Sequence, residues 1–460
     1  MKVLNIKSIA GIFLLVCLLG NSFGQIKNRE MIPVGVASVD ITPESPMRLS
    51  GYGSRKTVFD SVEQKLWAKA MAIGTDEEGP SVIITLDLVG FPAVFAERLA
   101  YRVGHTSRVE RKNLAITATH THSGPETGAL LNIFGRHLSG QELNQVVEYM
   151  MGLEDKVLGL VKEALANRQP SYINYSKGTA SFAMNRRVIE DGKWTGFGQT
   201  PDGPVEHDLP LLHITDQKGR TRALLLNYAC HGTTLMGDHN FVHGDWMGTA
   251  QEMIEKEFPG ATAMVVIGCG ADSNPQPRNE FKYVEQHGKA ITDEVVRVIK
   301  KEKARPVTQA PTTTFKYFPL YYDHVPSKKE YMAKAEQDNA EGLFARNSLE
   351  TLSRGGVIPD SYQYPLQVFS FGKELTMVFM GGEVVVDYVH RLKKELNNDD
   401  LWVNAYANDI TCYIASERLF DEGGYEVDGS MHYYNKPSRF AKNTEDRIVA
   451  EIIRLINKLP

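Results

Sequence analysis

Asn113-Leu-Ala-Ile-Thr-Ala-Thr-His-Thr-His-Ser-Gly-Pro125 decides how the rest of the chain is read. Apolar and polar residues alternate up to Thr117 as they do in a half-buried strand, and Ser123-Gly-Pro125 turns the backbone at its end. Side chains two apart on a strand share a face, so His120 and His122 leave the sheet edge side by side. Two imidazoles so placed can bind one metal, or divide the work between metal ligand and proton carrier. A pair of solvated histidines has the same spacing, so the choice rests on what surrounds the pair.

Outward from this stretch, strand and helix signals alternate along the chain. Val34–Pro43 reads as a strand stopped by a proline, Leu49-Ser-Gly-Tyr-Gly53 as a glycine-rich loop, and Lys65–Ile73 and Ser81–Val89 as buried strands. Phe91–Val103 and Gly140–Asn167 are helical by spacing, the second with Leu143, Val146, Val147 and Met150 on one face. Asn185-Arg186-Arg187 falls in a polar loop. Leu209–Thr215 and Thr221–Cys230 form a strand pair joined at Asp216-Gln-Lys-Gly219. Gly248–Phe258 and Lys289–Lys303 are amphipathic helices, Thr312–Tyr322 returns to strand, and Lys328–Arg354 is a charged surface helix. The last part reads as strand (Leu375–Met380), helix (Val384–Asn397), strand (Leu401–Ala405), a long irregular loop and a helix (Asn443–Lys458). This alternation predicts one α/β domain over residues 25–460, with mixed β-sheets flanked by helices.

Met1–Gly24 is read as a secretory signal peptide: Lys2 and Lys7 precede the apolar run Ile9–Leu19, and Ser22-Phe-Gly24 supplies small residues for cleavage. It is too short for a membrane span. Cys17 lacks the preceding small residue of a lipobox. A secreted or periplasmic protein is expected, with no transmembrane segment. Removing the two signal lysines takes the formal charge from −5 to −7, and no basic stripe marks a nucleic-acid partner. Three cysteines remain, Cys230, Cys269 and Cys412. An odd number argues against a disulfide framework, leaving room for one pair, and each is read as a small buried residue lining the site.

Five polar clusters each come directly after an apolar strand: His120/His122, Cys230–Leu235, Gly268–Arg278, Gly381-Gly-Glu383 and Asn408–Tyr425. Ligands in open α/β sheets collect outside the carboxyl ends of strands, so the clusters predict one shared cleft. His231 ends a run too apolar for a surface strand. Asp245 opens the next helix, as a cap or as an acceptor for a ligating imidazole. Glu383 follows two glycines that permit close backbone approach and stands ahead of a helical pattern, where dipole compensation is the simpler role. Two histidines and a glutamate from separate strands suit a catalytic zinc with an open position.

With these residues in place, the chain resembles the catalytic N-terminal domain of the neutral/alkaline (non-lysosomal) ceramidases, secreted or membrane-associated zinc amidases that cut ceramide into sphingosine and fatty acid. The likeness runs from Val34-Gly-Val-Ala-Ser-Val-Asp-Ile-Thr-Pro43 and Ser50-Gly-Tyr52, through Ala118-Thr-His-Thr-His-Ser-Gly-Pro125, to Tyr413–Tyr425. The resemblance implies Zn2+ held by His120, His231, Glu383 and Tyr413. It makes His122 the proton carrier, Tyr425 a hydrogen-bond donor to the substrate carbonyl or oxyanion, and Arg186 the residue that orients a polar group.

Two departures stand out. Where the family carries a Gly-Asp-x-Ser-Pro-Asn type motif, this chain reads Gly270-Ala-Asp-Ser-Asn-Pro275. Aligning Asp272 and Pro275 puts Asn274 in the serine's place, whereas aligning the glycine puts Ser273 there. Asparagine can hydrogen-bond a substrate but cannot form an acyl-enzyme, which favours attack by zinc-activated water. The chain also ends at Pro460, where full-length ceramidases continue into a C-terminal β-sandwich domain. Arg278 adds polarity to the pocket.

The expected function is an exported zinc-dependent amidohydrolase acting on N-acyl sphingosine or a related N-acyl or O-acyl substrate. Its substrate is then a lipid or glycoconjugate, with scope for contact at a membrane surface. A hydrolase for a sugar-linked acyl group or a glycan is the rival within the enzyme class. A lipid- or glycan-binding protein with a zinc-stabilised cleft is the rival outside it; such a binder has no need of His122 and Tyr425.

Overall fold

Ser81-Val-Ile-Ile-Thr-Leu86 and Leu114-Ala-Ile-Thr-Ala118, buried along their whole lengths, run parallel at one end of the largest sheet. Continuous apolar runs of this kind are what a strand covered on both faces requires. The computed structural model describes residues 30–128, 138–410 and 412–460; the segment read as a signal peptide, with Cys17, lies outside them. Its strands in chain order are β1 (Ile32–Asp40), β2 (Trp67–Ile73), β3 (Ser81–Leu86), β4 (Leu114–Ala118), β5 (Gln169–Thr179), β6 (Ala183–Glu190), β7 (Lys193–Thr200), β8 (Asp208–Thr215) and β9 (Thr221–Tyr228). They continue with β10 (Thr262–Ile267), β11 (Ser273–Pro275), β12 (Arg305–Val307), β13 (Thr312–Tyr321), β14 (Ser361–Phe371), β15 (Leu375–Met380), β16 (Glu383–Val384), β17 (Trp402–Asn404) and β18 (Tyr413–Ile414). The helices used below are α1 (Ala93–Ser107), α2 (Gly140–Ala166), α3 (Asp245–Glu257), α4 (Phe281–Lys301), α5 (Lys328–Lys334), α6 (Ala340–Ser353), α7 (Asp387–Leu396), α8 (Glu417–Glu422) and α9 (Thr444–Ile456).

The large sheet has the order β10-β9-β8-β5-β1-β2-β3-β4, with β12 on β5. Its β3/β4 and β9/β10 pairs are parallel and β1/β2, β2/β3, β5/β8 and β8/β9 antiparallel, so it is a mixed sheet. One face packs on the second sheet, β13-β14-β15-β17, through Ile83, Ile173, Met264, Phe369, Phe379 and Trp402. The opposite face carries α2, α3 and α4, with α1 packed on α2, and α9 covers β13 and β14 of the second sheet. The result is the expected α/β architecture, built as two sheets between helix layers. Among the described residues no helix is long and apolar enough to cross a membrane.

Ala405–Asn408, the segment after β17, ties the two ends of the large sheet together. Ala405 N donates to Ile267 O at 2.9 Å, while Ala118 N donates to Tyr406 O at 3.1 Å and Asn408 N to Ile116 O at 2.7 Å. The carboxyl ends of β4, β10 and β17 therefore meet at one place, which is where the polar clusters lie.

Four expectations need correction. Asn185-Arg186-Arg187 is not loop but the buried middle of β6. The α2 core stripe is Val146, Leu153, Val157, Val161 and Ala164, whereas Leu143 and Val147 face outward at 43% and 55% exposure. This long helix opens with a Ser139/Glu142 capping box, and its buried positions concentrate from Leu153 onward. The helix expected from Val384 begins at Asp387, because Glu383–Val384 is the strand β16. The charged surface helix expected over 328–354 is two helices, α5 and α6, the second restarted by Asn339, whose side chain accepts from Gly342 N. The Leu209–Thr215 and Thr221–Cys230 strand pair forms as expected.

Candidate metal centre

His120 stands just past β4 with a left-handed backbone, φ 60°, a conformation that costs free energy in any residue with a Cβ and clusters at functional sites. His120 N donates to Leu88 O at 2.9 Å and His122 N to Gly232 O at 3.1 Å. The loop of the first histidine pair is thus stitched to the loop of His231. The approach depends on Gly232: a Cβ there would sit 2.5 Å from His120 O.

Three imidazoles converge. The His120 ring lies 4.7 Å from each of the His122 and His231 rings, centre to centre, and a ligand atom from each lies within 4.8 Å of the others. His120 Nδ1 is 2.6 Å from Val89 O and His231 Nδ1 is 2.9 Å from Gly270 O. A carbonyl oxygen only accepts, so each Nδ1 carries the proton and each Nε2 presents a lone pair. Both lone pairs point at Glu383 Oε2, at 3.3 Å and 3.1 Å. That oxygen is buried and receives no hydrogen bond among the described residues. His122 Nε2 is 3.1 Å from His120 Nε2.

Burial lowers the pKa of His231 to about 3 and that of His122 well below its usual value, so both rings are neutral near pH 7. Burial pushes the Glu383 carboxyl the other way, and positive charge at this point, on the His120 and His231 rings or on a cation between them, outweighs it and holds the carboxyl well below its usual range. Two imidazole Nε2 atoms converging on one buried carboxylate oxygen make a donor set that fits a cation.

Glu383 reaches this position because Gly382 takes φ 72° and leaves no room for a Cβ, which would sit 2.6 Å from Cys412 O. The strand β16 then pairs in parallel with β18, Glu383 opposite Tyr413. Tyr413, 4% exposed, accepts a hydrogen bond from Arg186 Nη2 at 3.1 Å and lies 3.5 Å from His231 Nε2. Burial raises its pKa, Glu383 adds to the rise, and Arg186 opposes both. Arg186 Nη1 is 3.3 Å from His231 Nε2, and Arg186 Nε donates to Glu426 at 3.0 Å. The Tyr425 ring lies 5.4 Å from that of Tyr413, and its hydroxyl makes no hydrogen bond among the described residues.

His120, His122, Arg186, His231, Glu383, Tyr413 and Tyr425 therefore come together. Ser273 and Asn274 lie beside them on β11: Ser273 O accepts from His231 N at 3.1 Å. The Ser273 hydroxyl is buried without a partner among the described residues, whereas Asn274 Oδ1 accepts from Thr233 at 3.1 Å. Asp245 is neither a cap nor an imidazole acceptor: Gly244 holds the cap position without a side-chain hydrogen bond, and the Asp245 carboxylate takes Trp246 N at 2.6 Å and Leu235 N at 3.0 Å, tying the His231 loop to the helix start. The imidazoles find their acceptors in backbone carbonyls instead. Cys230, Cys269 and Cys412 are buried and form no disulfide among the described residues. Sequence reasoning missed Tyr434, which donates to Glu383 Oε1 at 2.5 Å. It also missed Tyr406, whose ring lies 4.2 Å from that of His120, and Glu426, which holds Arg186. Two are tyrosines in segments without periodicity and the third is one acidic residue among several, so no spacing signal marks them.

The profile of the family described as "Neutral/alkaline non-lysosomal ceramidase, N-terminal" matches residues 33–275. The match includes His120, His122, Arg186, His231, Ser273 and Asn274, and stops before Glu383, Tyr413 and Tyr425. The neutral ceramidase of Pseudomonas aeruginosa is 24% identical over 224 residues, 47% of this chain and 32% of that protein. The neutral ceramidase of Drosophila pseudoobscura is 26% identical over 258 residues, 52% of this chain and 35% of that one. The matched region thus spans about a third of these relatives' length. In fold, the crystal structure of the Pseudomonas aeruginosa neutral ceramidase agrees with a TM-score of 0.70 at 16% identity, over 94% of this chain and 75% of that one. Because the profile covers more than half of the sequence, the chain belongs to the neutral/alkaline non-lysosomal ceramidase family.

Proposed function

We propose that this protein is an exported zinc-dependent amidohydrolase that cleaves an N-acyl lipid of the ceramide type. One observation carries the reading: two Nε2 lone pairs, with their tautomers set by Val89 O and Gly270 O, point at a buried Glu383 oxygen that nothing else satisfies. A proton donor would fill such a spot with one bond, whereas a divalent cation accepts all three. His120, His231, Glu383 and Tyr413 would hold the zinc, which supplies Lewis acidity at the amide carbonyl and makes water acidic enough to attack near neutral pH.

The remaining steps belong to the chain's own side chains. His122, neutral and adjacent to His120, takes the proton from the attacking water and delivers it to the leaving amine. The unpartnered Tyr425 hydroxyl donates to the carbonyl oxygen as it gains charge. Arg186 keeps Tyr413 aimed at the centre, and Glu426 keeps Arg186 in place. Asn274, whose Oδ1 is engaged by Thr233, offers its amide N–H to substrate, and Ser273 lends an unpaired hydroxyl close by. The basic start, apolar run and small residues of Met1–Gly24 support export.

The test is hydrolysis of a short-chain ceramide by the purified protein, with metal content measured in parallel. Turnover should disappear on chelation and return with zinc, without loss of the folded signal. Sustained turnover in metal-free protein would overturn the reading.

A further inference from the structure

The residues of the candidate centre differ in how far they reach solvent. His120, His231, Glu383, Tyr413 and Arg186 are buried, whereas His122 and Tyr425 are partly exposed. Beyond Tyr425 the contacts end at Phe197 on β7, which is 49% exposed. The Phe197 ring lies 5.2 Å from that of Tyr425, at an interplanar angle of 71°, and the Arg186 guanidinium stands over it at 4.8 Å. Trp194 covers a further edge at 5.5 Å. A lone apolar residue on a surface is ordinary, but this ring touches two residues of the centre.

The hairpin is built to hold Phe197 there. β7 is the edge of the sheet β11-β6-β7, whose far strand β11 carries Ser273 and Asn274. Pairing runs from Asn185/Thr200 to Arg187/Phe197, so Arg186 alone stands opposite Gly198 and Gln199. Such bulges re-aim side chains beside active sites. The hairpin also meets the loop of Tyr425: Lys193 Nζ donates to Asp421 O at 2.8 Å, and a Cβ on Gly424 would sit 2.5 Å from the Trp194 ring. Ring contacts run from Phe197 through Tyr425 to Tyr413, and from His231 through His120 to His122. Tyr413 and His231 join the two series at 3.5 Å. Phe197 and His122 are therefore the solvent-reaching ends of one chain of contacts through the centre.

Resting on the reading of this site as an amidohydrolase centre, we propose that the substrate lies with its amine at His122 and its acyl group toward Phe197, whose exposed edge packs on the first methylenes of the acyl chain. The carbonyl oxygen then falls to Tyr425, between the two ends. Covering the exposed half of the ring removes apolar area from water on both partners. Phe197 thereby selects an extended acyl chain over an acetyl group, and the β6–β7 hairpin sets the acyl specificity.

The test compares the N-acetyl and N-hexanoyl amides of sphingosine and of serinol on the zinc-loaded protein. Each methylene removed from water is worth about fourfold, so two on the ring give about tenfold. In Phe197→Ala the hexanoyl/acetyl ratio of kcat/KM should fall about tenfold on either amine, while the sphingosine/serinol ratio stays at its wild-type value. Phe197→Leu should keep most of the acyl preference. Ratios taken on one preparation do not depend on its folded fraction. An unchanged hexanoyl/acetyl ratio in Phe197→Ala, or an equal fall in the sphingosine/serinol ratio, would overturn the proposal. If the zinc-loaded protein turns over none of the four amides, the hydrolase reading fails by itself, and calorimetry with N-hexanoylserinol then decides. About tenfold weaker binding by Phe197→Ala upholds the acyl contact; equal affinities, or no binding to either protein, dismiss it.

Discussion

Two clusters of buried polar groups lie back to back in this protein, and they are satisfied in opposite ways. Around Arg186 and Arg187, cations and carboxylates alternate: Glu426 serves both arginines, and Arg187 also donates to Glu422 at 2.9 Å. Around His120, His231 and Glu383, acceptors outnumber donors: Tyr434 donates to Glu383 Oε1 and Arg186 Nη1 reaches His231 Nε2, but among the described residues Glu383 Oε2 in the middle receives no hydrogen bond. A matched cluster makes a rigid support. An unmatched one is stable only with a cation in it or with its geometry imposed from outside. Arg186 belongs to both, and through Tyr413 it carries the order of the first cluster into the second.

If the unmatched cluster is the catalytic centre, removing a ligand should have the largest effect of any single change. His231→Ala should lose stoichiometric zinc and at least about 10³-fold in turnover, since a metal supplies several kcal/mol at the transition state. Metal analysis and steady-state kinetics check both, and retained zinc with full activity would erase the distinction between the clusters. The matched cluster should respond in stability first. Glu426→Gln leaves two buried guanidinium groups short of a carboxylate and should cost about 3–5 kcal/mol, read from denaturant unfolding. Loss of activity with unchanged stability would instead place Glu426 in the chemistry.

Tyr434→Phe probes the border between the two. It removes only the hydrogen bond to Glu383 Oε1, so zinc affinity should fall about 10- to 100-fold, as for other groups that orient a ligand. Chelator competition measures this, and excess zinc should restore most of the turnover. His213, on β8 and bonded to Thr221 at 2.8 Å, offers a control away from both clusters. Burial lowers its pKa from 6.5 to about 4, so the unfolded chain binds the proton more readily across that window. Its contribution to stability is complete above about pH 6.5 and is lost as the pH falls toward 4. His213→Gln should flatten the fall in Tm between those values, without moving the pH dependence of turnover. An unchanged slope would assign the acid sensitivity elsewhere.

The legibility of each part follows from how local its cause is. The His120/His122 pair, the β8/β9 hairpin and the buried strands β3 and β4 were readable because a period of two and an apolar run are properties of five to ten consecutive residues. The position of Arg186 and Arg187 was not, because charged residues in a strand look like loop until Glu422 and Glu426, more than 200 residues away, are known to face them. Glu383 looked like a helix start for a related reason: β16 exists only because β18 lies beside it.

By itself the sequence determined the α/β alternation, the strand ends at which polar clusters gather, and the residue types able to hold a cation. Tertiary structure alone decided that the ends of β4, β10 and β17 meet, that Gly232 lets two histidine loops touch, and that Tyr406 and Tyr434 join the centre. Periodicity records which face of an element is buried, but not what it is buried against. Convergence of side chains from residues 120, 231, 383 and 413 depends on contacts between segments far apart in the chain, and only the packed sheets bring those segments together.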